Sequence, residues 1–141
     1  KHTMALKIIL KPDEKMIVGG AVLTNGNSNK THLIIENNVP VLRQKDILSE
    51  KDANSPCSQM YFLIQLMYID EANLSTHQQR YWNVVRLILE AVPKLINPID
   101  QINEYILYGK YYQALKLAGE LIDYEQEVLR NANTDPIAAC I

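Results

Sequence analysis

Cysteine, histidine and long apolar runs are all scarce in this chain, and each shortage removes a class of function. The two cysteines, Cys57 and Cys140, lie far apart, and neither has a second cysteine or a histidine at ligand spacing. A disulfide framework or a zinc site is therefore not expected, and a reducing cytoplasm fits this usage best. No run reaches the roughly 18 apolar residues that a membrane span needs. The first residues, Lys1-His2-Thr3-Met4, lack the apolar stretch of a signal peptide. They read as a cloning scar ahead of a natural start at Met4, so His2 carries no functional argument. Motifs of the Gly-x-Ser-x-Gly, His-Glu-x-x-His and Walker-lysine kinds are absent. Gly19-Gly20 is a lone pair, and a bulge or sharp bend explains it better than a phosphate cradle.

Charge of one sign is also lacking. The chain carries 14 Lys/Arg and 16 Asp/Glu, a formal net charge of −2. That balance excludes a protein that coats nucleic acid over its whole surface, so any RNA contact must use a local patch. The charge is unevenly spread. Residues 5–50 hold six Lys/Arg against five Asp/Glu, whereas residues 51–141 hold seven against eleven. The second part is the acidic one.

What is present falls into two kinds of sequence. Residues 4–50 are β-like. Leu6–Lys11, Met16–Val18, Ala21–Thr24, Thr31–Glu36 and Val39–Arg43 are five short strand candidates. Pro12-Asp13-Glu14-Lys15 has turn chemistry, and Asn25–Lys30 has the composition of a longer hairpin loop. Pro40 suits the start of an edge strand, where no ladder N–H is required. Residues 51–131 read as helical. Ser55-Pro56 is an N-cap followed by proline at the first helical position, and the run to Ile69 has Gln65 as its one clearly polar residue after Met60. Such a helix must be buried on nearly all sides. Thr76–Val92 keeps a 3-4 apolar spacing and stops at Pro93. Asn97-Pro98 suggests a second cap-then-proline start, with Gly109 as the C′ residue after Tyr108. Lys110–Arg130 is the last and longest helix, and residues 132–141 read as a frayed tail. The expected fold class is α+β, a small antiparallel β domain packed on a helical domain of about four helices. The polar segment Ser49–Asn54 marks the boundary.

Few residues invite chemistry. His32 sits in a strand without a carboxylate or cysteine beside it, and His77 lies in a helix start that reads as a solvated first turn. Asp123, Glu125 and Glu127 crowd one helix end, where a solvated face is a better reading than acid/base or metal chemistry, and a contact for a basic partner is a third. No catalytic residue, metal site or cofactor is expected. All eight tyrosines, Trp82 and Phe62 fall in the helical part. Tyr105, Tyr108, Tyr111 and Tyr112 cluster around Gly109 and suit a protein interface, because the ring is apolar and the hydroxyl can stay wet. A protein partner, a second copy of the chain as a homo-oligomer, or both are expected.

Particular runs carry a family resemblance. The stretch from Leu6 to Gly19 containing KIILKP, the stretch Leu33-Ile34-Ile35-Glu36 followed by Pro40-Val41-Leu42-Arg43 and Lys45-Asp46-Ile47-Leu48, the run Gln65–Tyr68, and Ile106–Lys116 around Gly109 together resemble the FlbT family of flagellin regulators. The resemblance implies a cytoplasmic bacterial protein of flagellum biogenesis. It implies a post-transcriptional regulator, often a repressor, that associates with the 5′ untranslated region of flagellin mRNA and alters its stability. It also implies a partner, FlaF. The β part alone is similar to the carbon storage regulator family of small RNA-binding proteins. Those proteins form interleaved dimers whose edge strands present backbone groups and an arginine to an RNA loop. Arg43 stands where that arginine stands, and Asp13 replaces the glycine usual before the glutamate.

The RNA-contact candidates are therefore Arg43, Lys45, Lys7 and Lys11. Lys7, Ile9 and Lys11 share a phase along a strand, as Arg43 and Lys45 would if their strand continued. Arginine can pair bidentately with guanine edges or phosphate, and lysine supplies a point charge. The plain alternative is that these cations guard a sheet edge. Two functions remain open. One is an RNA-associated regulator of flagellin synthesis. The other is an interaction module binding FlaF, flagellin or the assembly machinery through the Tyr-rich helices, with an indirect effect on mRNA.

Overall fold

The computed structural model describes residues 5–131. The scar and tail readings, and Cys140, lie outside the described residues. Five antiparallel strands precede four helices, as the sequence pattern requires, and the two parts form separate compact units that divide between Ile47 and Leu48.

The β unit contains two small sheets. Strand β1 (Leu6–Leu10) pairs with β4 (Thr31–Ile35), Leu6 opposite Ile35 and Leu10 opposite Thr31. Strand β2 (Lys15–Val18) is central in the second sheet, between β3 (Ala21–Thr24) and β5 (Val41–Arg43). Alternation along β1 sends Ile8 and Leu10 inward, where they meet Met16, with Val18, Leu33, Ile35 and Val41 packed around them. β3 is an edge strand with all four residues exposed.

Of the two turn readings, one is corrected. Gly19-Gly20 is the expected sharp bend, the two-residue connection of the β2–β3 hairpin, and not the alternative bulge. Both glycines have positive φ, 56° and 90°, as a type I′ turn demands. The Asn25–Lys30 loop is no hairpin, because β3 and β4 belong to different sheets. Its order comes from Asn25, which is buried. The Asn25 amide donates to the carbonyls of Leu10, Lys11 and Asn29, at 3.0, 3.1 and 3.0 Å. Its oxygen accepts from the Asn27 N–H and the Thr31 hydroxyl, both at 2.9 Å. Asp13 has a φ of +64°, in the left-handed region that aspartate tolerates better than most residues. Pro40 lies just before β5, and its carbonyl accepts from the Gly19 N–H at 2.8 Å.

In the helical unit, α1 (Pro56–Ile69) is the buried centre. Only Gln59 along it is exposed. Gln65 stays buried because it forms a two-way pair with the Leu48 backbone, accepting from its N–H at 2.8 Å and donating to its carbonyl at 2.9 Å. This pair ties Leu48, just ahead of the Ser49–Asn54 segment, to the helices. α2 (Leu74–Ala91) begins two residues earlier than the sequence suggests and buries His77, Tyr81, Val85 and Ile88. α3 (Ile96–Leu107) starts after a 3-10 turn, Pro93–Leu95, so Asn97 lies inside its first turn and is no cap. Pro98 is harmless there, since the first four N–H groups of a helix have no partner within it. Gly109 has a φ of +72° and closes α3 as expected. Its N–H bonds to the Ile106 carbonyl at 3.0 Å, and the Lys110 N–H to that of Tyr105 at 2.7 Å, which is a Schellman motif. α4 (Tyr111–Asn131) turns Ala114, Leu115, Ala118, Leu121 and Glu125 inward. Small residues let α4 approach closely, and a Cβ added at Gly119 would lie 3.8 Å from the Tyr61 ring.

Glu125 is the main correction to the helical reading. It is 2 % exposed, not solvated, whereas Asp123 and Glu127 are exposed as expected. Its carboxylate accepts from the Ser55 hydroxyl and from the Cys57 N–H at 3.1 Å, at the start of α1. Ser55 and Ser58 complete a capping box there. An acid at a helix N-terminus meets both free N–H groups and the positive end of the helix dipole. His77 is likewise not solvated. It is buried, and its Nε2 lies 2.8 Å from the Asp70 carboxylate. Hydrogen bonds from Asn73 and then His77 hold the Asp70 carboxyl below the usual range.

Replacing Glu125 with alanine leaves buried donors without an acceptor, so Glu125→Ala is expected to cost roughly 2–4 kcal/mol of stability, read by urea denaturation. Burial, then the Glu125 charge and its hydrogen bond, push the Cys57 thiol up to about 12. An unfolded thiol ionises near its ordinary value of about 8.5, so the unfolded chain loses its proton first and stability falls as pH rises past that point. Denaturation curves on either side of about pH 9 should show a smaller alkaline loss in Cys57→Ala than in the parent chain.

Candidate nucleic-acid interface

The cations singled out in the sequence divide into two groups once the β unit is folded. Arg43 ends β5, and its guanidinium donates to the Ile9 carbonyl of β1 at 3.1 Å. It also lies 3.7 Å from the Glu14 carboxylate, whose other oxygen accepts from the Lys11 N–H at 2.9 Å. Among the described residues strand β1 has only one ladder partner, β4, so carbonyls on its second edge lack ladder bonds. Arg43 satisfies one of them and joins the two sheets of this unit. The side chain keeps 42 % exposure, but its charge is already engaged. Lys15 is engaged as well, with its ammonium 2.9 Å from the Thr24 hydroxyl.

Lys45 does not continue the phase of Arg43. β5 stops at Arg43, and Gln44–Asp46 form a 3-10 turn. The Gln44 side chain folds back to accept from the Lys15 N–H at 2.6 Å, which extends the β2–β5 pairing by one bond and ends the strand. Lys45 is exposed on that turn. Lys7 and Lys11 are exposed too, and among the described residues none of these three lysines makes an ion pair.

The outer face of the β1–β4 ribbon is the arrangement most suited to nucleic acid. Lys7 stands opposite Ile34, and Ile9 opposite His32. Ile9 and Ile34 are 47 % and 60 % exposed, and His32 is exposed beside them. Lys11 follows at the end of β1. A cation, an imidazole and two branched apolar side chains on one ribbon face can meet phosphate and base together, with His32 as the ring able to stack and the isoleucines giving apolar contact. Sequence reasoning placed Lys7 and Ile9 on this face. It set His32 aside and missed Ile34, although both alternate with the inward Leu33 and Ile35.

The four tyrosines are not one cluster. Tyr108 is 70 % exposed, and Tyr112 is exposed under the Lys116 ammonium, which lies 5.4 Å from its ring centre. Tyr111 is half-buried, 6.3 Å from Tyr68, and Tyr105 is half-buried in α3. Among the described residues no ring contact joins the four, and no group of three or more His, Cys, Asp or Glu could hold a metal ion. No described helix is long and apolar enough to cross a membrane.

The family of flagellar proteins described as "Flagellar protein FlbT" matches residues 6–129, which spans both units. This chain belongs to the FlbT family. It is 46 % identical over 125 residues to the "Probable flagellum biosynthesis repressor protein FlbT 1" of Bradyrhizobium diazoefficiens, covering 89 % of this chain and 85 % of that one. It is 36 % identical over 126 residues to the probable FlbT repressor of Rhodopseudomonas palustris, covering 89 % and 98 %. It is 32 % identical over 133 residues to the flagellum biosynthesis repressor protein FlbT of Caulobacter vibrioides, covering 93 % and 94 %. No solved structure matches this FlbT-family chain.

The engagement of Arg43 has a measurable consequence. Arg43→Ala is expected to cost about 1 kcal/mol, because a half-exposed charged donor is lost and the Ile9 carbonyl turns to water. Hydrogen exchange of the β1 and β5 amides should record it as lost protection in the β unit.

Proposed function

We propose that this FlbT-family chain restrains flagellin synthesis after transcription, by associating with the 5′ untranslated region of flagellin mRNA and changing its stability or translation. The regulatory part rests on the relatives, whose names describe repressors of flagellum biosynthesis. The RNA part rests on one observation, the outer β1–β4 face that sets Lys7 and Ile9 against Ile34 and His32, with Lys11 beyond. Lysines not spent on ion pairs can replace counterions along a phosphate backbone, the His32 ring can stack on an unpaired base, and Ile9 and Ile34 offer apolar contact beside it. Lys45 adds a further exposed cation on the same unit. Arg43 contributes first by holding β1 against β5, and its half-exposed guanidinium keeps further N–H donors with which it can also meet a phosphate or a base edge.

In this reading the protein is no enzyme. It acts by occupying the leader, which blocks ribosomes or leaves the transcript open to nucleases, and it works in the cytoplasm where the message is. Binding of a labelled flagellin leader RNA, followed by fluorescence anisotropy at several salt concentrations, tests it. Each phosphate contact on a single strand contributes about −0.7 to the slope of log K against log salt. The variant Lys7→Ala/Lys11→Ala/Lys45→Ala should bind more weakly, with a slope shallower by about 2 if each lysine meets one phosphate. Unchanged affinity and slope in this folded variant would sink the site assignment. A parent chain that binds the leader no better than an unrelated RNA would sink the function.

A further inference from the structure

The helical unit carries a second surface, independent of the RNA reading, at the corner where α2, α3 and the start of α4 come together. A groove of about 700 Å³ lies there. Its α2 wall includes Leu74 and Trp82, eight residues apart and so on one stripe. Its α3 wall includes Asp100, Glu104 and Leu107, again a single stripe by their spacing. Tyr111 closes one end beside Gly109. Leu107 is 78 % exposed and Trp82 50 %, so the apolar walls are open to water.

The groove is built before any ligand arrives. Trp82 is held edge-on to the buried Tyr81, with ring centres 5.2 Å apart. The Tyr81 hydroxyl donates to the Asn103 oxygen at 2.6 Å, which fixes α2 against α3 at the groove itself. Burial pushes the Tyr81 phenol far above its usual range, so this donor keeps its proton. The Schellman turn at Gly109 fixes the closed end.

Its chemistry selects the occupant. Two helix stripes with a gap between them present ridges into which the side chains of a third helix can pack. Among the described residues, the only charged ones lining the groove are Asp100 and Glu104, and no lysine or arginine lines it. Nucleic acid would be repelled there. A second copy docked groove to groove would bring the same acidic patch to both sides, and no lysine or arginine among the described lining residues would answer it. A small molecule would remain largely wet in so open a cleft, whereas drug-sized ligands are usually 70–90 % buried. We propose that the α2–α3 groove receives an amphipathic helix of a protein partner, with an apolar stripe against Trp82, Leu74 and Leu107 and lysine or arginine beside Asp100 and Glu104. This locates a partner site in the acidic, tyrosine-rich half, on residues of the helical unit alone.

Trp82 is the single tryptophan of the chain, so its emission reports the site directly. The probes are two synthetic peptides of about four helical turns with the same leucine stripe, one flanked by lysine and arginine, the other by glutamate. The basic peptide should shift Trp82 emission to the blue and saturate, and it should bind at least about tenfold more tightly than the acidic one, the ratio expected from two pairs of roughly 0.7 kcal/mol each. Added salt should narrow that ratio. Asp100 and Glu104 are exposed, so Asp100→Asn/Glu104→Gln keeps the fold by far-ultraviolet circular dichroism and should bring the two peptides within about twofold. Leu107→Asp should abolish both signals. Equal binding of the two peptides, or binding of neither, overturns the proposal. So does a blue shift that grows with protein concentration alone and sediments as a dimer, which would assign the groove to a second copy. None of these outcomes bears on the leader RNA, so this surface and the RNA reading stand or fall separately.

Discussion

Buried polar groups in this protein cannot turn to water, and the start of α1 is where that constraint matters most. α1 is apolar on almost every side and sits at the centre of the helical unit, so its first N–H groups are buried with it. Glu125, brought from the far end of the chain on α4, supplies the acceptor, with Ser55 and Ser58 beside it. The need for that carboxylate fixes the position of α4 along α1. The seam of Ala114, Ala118 and Leu121 then lets the two helices lie close. The same contact makes Cys57 an inert thiol, because it is buried next to a negative charge. A cysteine and an acid that could have suggested chemistry are a helix cap and its neighbour.

The β unit obeys the same rule with fewer residues. Asn25 spends its amide and its oxygen on five hydrogen bonds and turns a polar loop into a fixed corner between two sheets. Arg43 satisfies an open-edge carbonyl of β1. These assignments change the functional picture. The arginine that resemblance marks as the RNA contact has a structural task first, and the lysines of the β1–β4 face hold the uncommitted charge. On the helical unit the Tyr81–Asn103 bond shapes a groove whose walls are apolar and whose charges are acidic. The two units thus offer surfaces of different chemistry, one cationic on its ribbon face and one acidic.

Much of the architecture was legible in local signals. Ser55-Pro56 and Gly109 marked a helix start and a helix end because caps are local devices. Alternation along Leu6–Leu10 and the 3-4 spacing through Tyr81, Val85 and Ile88 gave the buried faces. The family was legible in motifs spread over both halves. Three local readings failed for reasons outside their own windows. Asn97-Pro98 imitates a cap, but Pro93–Leu95 had already begun the turn into α3. The Asn25–Lys30 loop has hairpin composition, but Gly19-Gly20 supplies the hairpin and the loop crosses between sheets. Gln44 ended β5 before Lys45 could share its face.

The sequence by itself determined the class, the order of elements, the buried character of α1 and the family, because periodicity, capping and turn chemistry act over a few residues. Only the tertiary structure decided what the polar side chains do. Whether Glu125 is a solvated acid or a cap, whether His77 faces water or Asp70, and whether Arg43 is free or bound to Ile9 depend on groups 70, 7 and 34 residues away. A charge is worth most where it is desolvated and paired, and which group desolvates or pairs it is a property of the folded chain. The α2–α3 groove has the same origin, since its walls come from two helices that no local window holds together.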